Sequence, residues 1–415
     1  MKTPALASAN KGFALNLTVL LALLVLVFPS SMDIFRLNMM GKYLSYAFVA
    51  MGLVLCWGYG GILSLGQGIF FGLGGYCMAM FLKLEASTPE YTASQTTPGI
   101  PDFMDWNQLT ELPWFWEAFK SFPLTLVLIL LVPTAFAYFF GLCMFKRRVG
   151  GVYFSIITQA IACIMTILIV GQQGYTGGIN GITDLKTCMG LDIRTNGAKL
   201  FLYYLCVFLL VMALLLCTWV ARSKAGRLLV AIRDDEQRVR FSGYDVANYK
   251  IFVLCFSAFL SAVGGAMFTL QTGFMSPSFV GIVASIEMVV FCAVGGRMSL
   301  FGVIYGTLLV SFAKTAISEN FPELWSLLIG AIFIGCVLVF PKGIAGLYAD
   351  HVLPYLSGLD GRLKDAFRGA REDREAQIEA LRGVPADKVL LGVRPQFLSG
   401  DGGSVDGFDD GRSLS

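Results

Sequence analysis

The sequence RSKAGRLLVAIRDDEQRVRFSGYDVANYK, residues 222–250, is the stretch around which the chain is organised. It is polar, contains seven Lys or Arg residues, and lies between two apolar runs at residues 200–221 and 251–270. Each run is long enough to cross a bilayer as a helix, which takes about 20 apolar residues. Loops rich in Lys and Arg stay on the cytoplasmic side of membrane proteins, so we expect residues 222–250 in the cytoplasm.

The middle of this segment has the pattern of a short helix. Asp234 is followed three residues later by Gln237, which predicts an N-cap with its reciprocal partner. Acidic residues come next and arginines follow them, as the helix dipole prefers. Gly243 is a natural residue just beyond the C-terminus. We therefore predict a helix of about two turns, on the order of 12 Å long, between two membrane helices.

Such a segment is either a solvated loop whose charges only fix topology or a helix that docks into a cytoplasmic partner. The pattern GR-x3-AIRDDEQ-x5-G-x5-YK resembles the cytoplasmic coupling loop of ABC-importer permeases of the branched-chain amino acid and urea type, over roughly residues 40–342. The resemblance implies an all-α, type II importer permease whose loop contacts ATPase subunits. The residues expected in that coupling are Arg233, Asp234, Asp235, Glu236, Arg240 and Gly243.

The composition is that of a polytopic membrane protein. The mean hydropathy is +0.69, 56% of the residues are hydrophobic and only 14% are charged. Nine of the ten cysteines lie within apolar segments and Cys188 lies in a predicted loop, so we expect no disulfides.

The residues that could do chemistry are few. The single histidine, His351, lies in the polar C-terminal region, and no GxxxxGK[ST] phosphate loop occurs. We therefore expect no enzyme activity, no metal site, no bound cofactor and no nucleic-acid partner. If ATP drives this protein, another polypeptide hydrolyses it.

Hydropathy predicts about ten membrane spans within a permease domain at residues 1–341, with both termini inside. The first is expected to be a retained helix, since the sequence after it lacks a clear signal-peptide cleavage pattern. The predicted spans are 13–28, 39–57, a glycine-rich segment from residue 58, 122–145, 150–170, 199–221, 251–271, 285–294, 301–317 and 324–340. A polar tail at 342–415 is predicted to be partly helical and then disordered.

The glycine-rich segment GYGGILSLGQGIFFGLGG, residues 58–75, holds eight glycines in 18 residues. Glycine destabilises a continuous helix but lets membrane helices pack closely. The segment is therefore either a tightly packed helix or a broken element that lines the transport path. It also resembles an early segment of the same permease family. On the second interpretation Gly66, Gln67 and Gly68 belong to the path, with Gln159 from a later span.

Two polar regions are predicted on the outer side. Residues 84–121 are rich in Trp, Pro and acidic residues, and the tryptophans form an interfacial belt, a lid or a docking surface for a binding protein. The sequence GIPDFMDWNQLTELPWFW within this region, residues 99–116, resembles that of the urea branch of the family. The cluster GYTGGINGITDL within residues 172–198 contributes Asn180 and Thr183 as candidate vestibule residues.

Glu287 and Lys314 are two charges inside predicted spans, each about three residues from the outer end of its helix. Charges in lipid usually pair or face water, so we predict either an ion pair near the outer leaflet or two separate interfacial side chains.

The resemblance implies a permease of a bacterial inner-membrane ABC importer that works by alternating access. Its expected partners are the lipid bilayer, a homologous permease, two cytoplasmic ATPases and an outer solute-binding protein. The expected cargo is urea or a similar small amide, with branched-chain amino acids as the alternative. A stand-alone channel or an ion-coupled transporter is the competing class, although such proteins commonly keep acids or histidines within the membrane.

Overall fold

The structure is a computed structural model that describes residues 4–320, 328, 330–332, 334, 335 and 343–347. These residues belong to one compact unit, Met1–Ala349. The predicted span at 324–340 and the predicted tail at 342–415 fall almost entirely outside this description.

Long helices make up most of the described chain, and eight of them are apolar and long enough to cross a membrane. The first is continuous from α1 (Pro4–Leu21) through a π-helical turn (Ala22–Val27) to α2 (Phe28–Ser31). The second is α3 (Ile34–Leu53), which ends in another π-helical turn (Val54–Tyr59). The other six are α4 (Gln67–Ala86), α7 (Phe122–Phe145), α8 (Gly151–Gly171), α10 (Asn196–Arg222), α13 (Val246–Thr272) and α15 (Leu300–Asn320).

Shorter elements connect the long helices. They are α5 (Asp102–Trp106), α6 (Trp114–Glu117), α9 (Gln173–Thr176), α11 (Lys224–Asp234), α12 (Glu236–Phe241), α14 (Ile282–Gly295), α16 (Gly343–Leu347) and the strands β1 (Thr187–Cys188) and β2 (Leu191–Asp192). Short 3-10 turns lie at Ala118–Lys120, Gly178–Asn180 and Pro277–Phe279.

The predicted count of ten spans is not confirmed. Residues 285–294 were predicted to span, but α14 has 14 residues. At 1.5 Å per residue its length is about 21 Å, which is shorter than the roughly 30 Å hydrocarbon core. The described residues therefore contain eight long spans and one short apolar helix, and the tenth predicted span lies almost entirely outside them.

Helix α13 is the centre of the bundle and packs against α3, α4 and α7. Its contact with α4 is close because glycines meet backbone across the interface. A Cβ atom at Gly265 would lie 1.9 Å from the carbonyl oxygen of Phe71, and one at Gly74 would lie 2.4 Å from that of Ala262. Any larger residue at these two positions would push the helices apart.

The connections lie at two opposite ends of the bundle. At one end α11 meets the π-helical end of the second span, and Arg297 lies 5.7 Å from the ring centre of Trp57. We name this the inner end, following the predicted orientation.

At the outer end the long loops contact one another. Trp116 donates from Nε1 to the carbonyl of Tyr175 at 3.0 Å, and Ile182 pairs with Met275 as an antiparallel bridge. Strands β1 and β2 form a two-stranded antiparallel hairpin in the same region. The connections that precede α7, α10 and α14 therefore form one interlocked layer.

Candidate coupling and translocation sites

The polar segment at the inner end folds as two helices, not one. Helix α11 ends at Asp234 and α12 begins at Glu236, and Asp235 between them has an extended backbone with φ −154° and ψ 98°. Asp235 Oδ1 accepts from the N–H groups of Gln237 at 3.1 Å and Arg238 at 3.2 Å. The N-cap predicted at Asp234 was therefore wrong by one residue, because the Asp234 carboxylate is engaged by Arg233 at 2.9 Å.

The pair of helices α11 and α12 has a small apolar core of its own. Ile232, Val239 and Val246 are buried against one another, one from each of α11, α12 and α13. Tyr249 packs against the same cluster. A solvated loop would not bury such a cluster, so residues 224–246 behave as a folded hairpin fixed to the start of α13.

Glu236 connects this hairpin to α13 by charge. Its carboxylate pairs with Lys250 on α13, whose Nζ lies 2.6 Å from Oε2, and with Arg240 one turn along α12. Burial alone would raise the pKa of Glu236, but these two cations outweigh it and the pKa lies below its usual range. The side chain is therefore ionised at neutral pH.

Arg233 connects the hairpin to α3. Its Nη1 donates to the carbonyl of Gly58 at 2.8 Å, within the π-helical end of the second span, and contacts Met298 Sδ at 3.1 Å. Its methylene stem lies against Gly61, whose φ of +68° only glycine adopts readily. Arg233 thus ties α11 to the chain that leads into α4.

The free tip of the hairpin is exposed and partly aromatic. Gly243, with φ +86°, ends α12 and donates to the carbonyl of Arg240 at 3.0 Å, as predicted for a residue beyond a C-terminus. Beside it the side chain of Phe241 is 90% exposed and Tyr244 is half-exposed. The sequence did not predict an exposed Phe241, because an apolar residue within a charged helix is normally expected to face the protein interior.

The glycine-rich segment is both broken and tightly packed. After Tyr59 the backbone is non-helical until α4 begins at Gln67. Side chains of α8 satisfy its backbone, since Ser155 donates to the carbonyl of Leu63 at 2.7 Å and the N–H of Leu65 donates to Thr158 at 3.1 Å. Helix α4 therefore begins inside the bundle, and its N-terminus lies away from either end.

Gly66, Gln67 and Gly68 lie at this internal helix start. Gln67 is fully buried, and its Oε1 accepts from Ser261 at 3.1 Å. The Gly68 N–H donates to Ser285 at 3.1 Å, and a Cβ atom at Gly66 would meet the carbonyl of Thr158 at 2.5 Å. Within the described residues the Nε2 of Gln67 has no hydrogen-bond partner.

The other predicted path residues are separate from this cluster. Gln159 is half-buried on α8, next to Thr158. Asn180 and Thr183 are exposed at the outer end, where they line a cavity of about 150 Å³ with Asp102. Residues 66–68 do not line that cavity.

Glu287 and Lys314 form an ion pair across α14 and α15. Lys314 Nζ lies 2.7 Å from both carboxylate oxygens of Glu287, which is largely buried. Lys314 lines a cavity of about 320 Å³ together with Lys42 of α3.

Sequence reasoning missed two further charges inside spans. Lys42 was hidden within an otherwise apolar window, and its Nζ lies 5.7 Å from the ring centre of Phe268. Lys83, near the outer end of α4, is buried and paired with Asp102 at 2.9 Å. Hydropathy carries no signal for this contact, because Lys83 and Asp102 belong to different elements.

Comparisons with known proteins agree with a transport role. Residues 35–337 match the model of a family described as "Branched-chain amino acid transport system / permease component". The chain is 25% identical to the high-affinity branched-chain amino acid transport system permease protein LivM of Salmonella typhimurium, over 82% of this chain and 77% of that protein. The corresponding protein of Escherichia coli is 24% identical over the same shares.

A more distant relative has a different named cargo. The autoinducer 2 import system permease protein LsrC of Yersinia enterocolitica is 24% identical over 64% of this chain and 68% of that protein. No solved structure matches the chain.

Proposed function

Because the chain belongs to the family of permease components of branched-chain amino acid transport systems, we propose that it is one membrane subunit of an ATP-driven importer. Proteins of this family are subunits of transporters, so the chain is a transport subunit and not an enzyme. It is a multi-pass protein of the inner membrane. The proposed partners are cytoplasmic ATPases, a solute-binding protein and a homologous permease that completes the path.

The observation that carries this proposal is the hairpin of α11 and α12. It is folded, it is tied to α13 through Glu236 and Lys250, and it is tied to the end of α3 through Arg233. Closure of ATPases against its exposed tip would move α13 and the non-helical segment after Tyr59 together. A stand-alone channel would have no need of such a rigid element at its inner end.

An amino acid with an aliphatic side chain is the cargo that we propose first. The LivM relatives transport branched-chain amino acids by name, and three charged side chains line one cavity between the spans α3, α14 and α15.

Urea is the second candidate cargo. The similarity of the outer loop at residues 84–121 to the urea branch of the family supports it. Urea carries no charge, and it would pass between amides and hydroxyls such as Gln67 and Ser261 without needing a counter-ion.

Co-purification followed by reconstituted uptake tests the proposal. The tagged chain should bring down ATPase subunits, and the complex in liposomes should import leucine, or urea for the second candidate, only with ATP and its binding protein. Arg233→Ala should lower uptake per ATP hydrolysed, because the link to Gly58 is lost. Arg194→Ala, a matched arginine variant at the outer end, should leave that ratio unchanged. Uptake that persists without any ATPase would overturn the proposal.

A further inference from the structure

The cavity between α3, α14 and α15 is lined by a set of groups that no coupling role explains. It has a volume of about 320 Å³, within the usual range of small-molecule sites. Its wall combines charges with hydroxyl and aromatic groups, and the lining includes Lys42, Lys314, Glu319, Tyr43, Tyr46, Ser311, Thr315, Ser318, Met39, Phe279 and Phe291. The cavity lies on the outer half of these helices, since Lys42 is only eight residues from the start of α3.

The two lysines of this wall differ in whether they form an ion pair. Lys314 and Glu287 neutralise each other at 2.7 Å. Among the residues that the structure describes, Lys42 has no carboxylate within 4.0 Å. The face of Phe268 lies 5.7 Å from its ammonium, and the charges of Lys314 and Glu287 act on it from farther away with opposite signs. An unpaired ammonium inside a span is costly, and an anion that enters the cavity would relieve that cost.

A negatively charged side chain also lies on this wall. Glu319, at the outer end of α15, forms no ion pair in the described part of the chain and lines this cavity as well as a neighbouring one of about 170 Å³. The neighbouring cavity extends towards Arg36 near the start of α3. Lys42 and Glu319 thus offer one cationic and one anionic group to a single occupant.

The rest of the wall suits a small aliphatic body. Phe291 and Phe279 supply aromatic surface, and Tyr46 stacks among Phe71, Phe268 and Phe291. The hydroxyl of Tyr43 is bonded to Thr315, which fixes the α3–α15 side of the cavity. Apolar walls with few polar groups are typical of sites that orient a small ligand.

We propose that this cavity is a transient cargo site in which Lys42 binds the carboxylate of a zwitterionic amino acid and Glu319 faces its ammonium. The proposal rests on the proposed function and specifies its substrate class. Urea has neither charge, so this site would discriminate against it. Weak binding is sufficient here, because the binding protein captures cargo at the outer surface.

Site-directed labelling tests the site without relying on transport. In the purified full complex carrying Ser318→Cys, millimolar leucine should slow modification of that cysteine by a charged methanethiosulfonate reagent at least about threefold, measured by peptide mass spectrometry. Isoamylamine, which is leucine without its carboxylate, should not protect. Added Lys42→Met should abolish protection and Lys42→Arg should retain it. Equal protection by both ligands, protection that survives Lys42→Met, or no protection by leucine would overturn the proposal.

Reconstituted uptake provides the second measurement. Lys42→Met should lower leucine uptake at least about tenfold, the loss expected for a charge-assisted hydrogen bond, while Lys42→Arg retains most of it. Lys120→Met, a matched substitution of an exposed outer lysine, should have no effect. Stimulation of ATP hydrolysis by the binding protein reports that each variant assembles.

The proposed function and the proposed cargo site are contradicted by different results. If the unmodified complex transports neither leucine nor urea with ATP, the proposed function fails. If it transports leucine and Lys42→Met transports it equally well, only the cargo site fails.

Discussion

At the two ends of the bundle, single charged side chains make contacts with other elements that the sequence pattern does not predict. Glu236 holds two cations from different elements, and Glu85 accepts from the N–H groups of Met189 at 2.9 Å and Gly190 at 2.6 Å in the outer hairpin. Such contacts set the ionisation of nearby groups. Two predictions at this scale follow from them.

The thiol of Cys188 should react slowly with alkylating reagents at neutral pH. Burial, and secondly the negative charge of Glu85, raise its pKa to about 11. Only the thiolate reacts, so its fraction at pH 7 is roughly one in ten thousand and rises about tenfold per pH unit. Iodoacetamide rates between pH 7 and 10, followed at the Cys188 peptide, check this. A rate that levels off below pH 9 would contradict it, and Cys188→Ser identifies the peptide.

Glu236→Gln should loosen the hairpin from α13 and lower ATP-driven uptake severalfold. Each half-exposed ion pair that is lost contributes about 0.2–1 kcal/mol. Because the pKa of Glu236 is lowered in the folded chain, its contribution is present above its unfolded pKa and disappears as the pH falls through the folded one. The defect should therefore be full at pH 7. Glu117→Gln, an exposed outer glutamate paired with Lys120, is the matched control. Unchanged uptake in Glu236→Gln would contradict this role.

At the scale of elements, the interface between α4 and α13 is extensive and close, and the chain before α4 departs from regular helix. Both involve the glycines of residues 58–75, and Gly265 of α13 meets the backbone of Phe71 and Gly75 on α4. The sequence left a broken element and a tightly packed helix as alternatives. The first describes the part before Gln67, and the second describes the part that begins at Gln67.

Gly265→Ala should destabilise the bundle and prevent normal assembly. Its new methyl carbon would lie 1.9 Å from the Phe71 carbonyl oxygen, so α4 and α13 must separate. Overpacking of this kind costs about 1–3 kcal/mol. Thermal unfolding of the detergent-purified protein should show a clearly lower midpoint. Gly197→Ala, in α10 with nothing within 4 Å of the added carbon, should unfold as the unmodified chain does. Equal midpoints would rule out the tight contact.

Helix positions could be predicted from hydropathy, whereas their interruptions could not. Eight predicted spans correspond to long helices, because about 20 apolar residues in lipid can satisfy their backbone hydrogen bonds internally only as a helix or in a closed barrel. The start of α4 at Gln67 depends on hydroxyls of α8, which lie far away in sequence. The N-cap at Asp235 depends on Arg233 having engaged Asp234. Lys42 escaped notice because an average over a span hides one charge.

For the whole molecule, the charged hairpin and the tryptophan-rich loops lie at opposite ends of the helices. Trp114 is 83% exposed and Trp106 is also exposed, so these rings are available to an interface or to another protein. The arrangement agrees with importers that receive cargo at one face and ATPases at the other. The absolute direction of the bundle remains a prediction from the distribution of Lys and Arg.

Cysteine labelling in intact and in opened cells should determine that direction. A cysteine in place of exposed Ser242, next to the tip of α12, should react with an impermeant maleimide only after the inner membrane is opened. A cysteine in place of Tyr91, which is 83% exposed in the outer loop, should react once the outer membrane is permeabilised. The unsubstituted chain reports the background from native thiols. The opposite pattern would invert the topology and remove the hairpin from the ATPases.

The stretch between Tyr59 and Gln67 has a mechanical consequence. Continuous helices resist shear because every turn is bonded to the next, but here two hydroxyls of α8 hold the chain at Leu63 and Leu65. If those two hydrogen bonds were exchanged for others, we expect that the neighbouring spans could shift along each other without either helix unwinding. This non-helical segment lies next to the hydrogen bond between Arg233 and Gly58, so we expect motion of the inner-end hairpin to be taken up there.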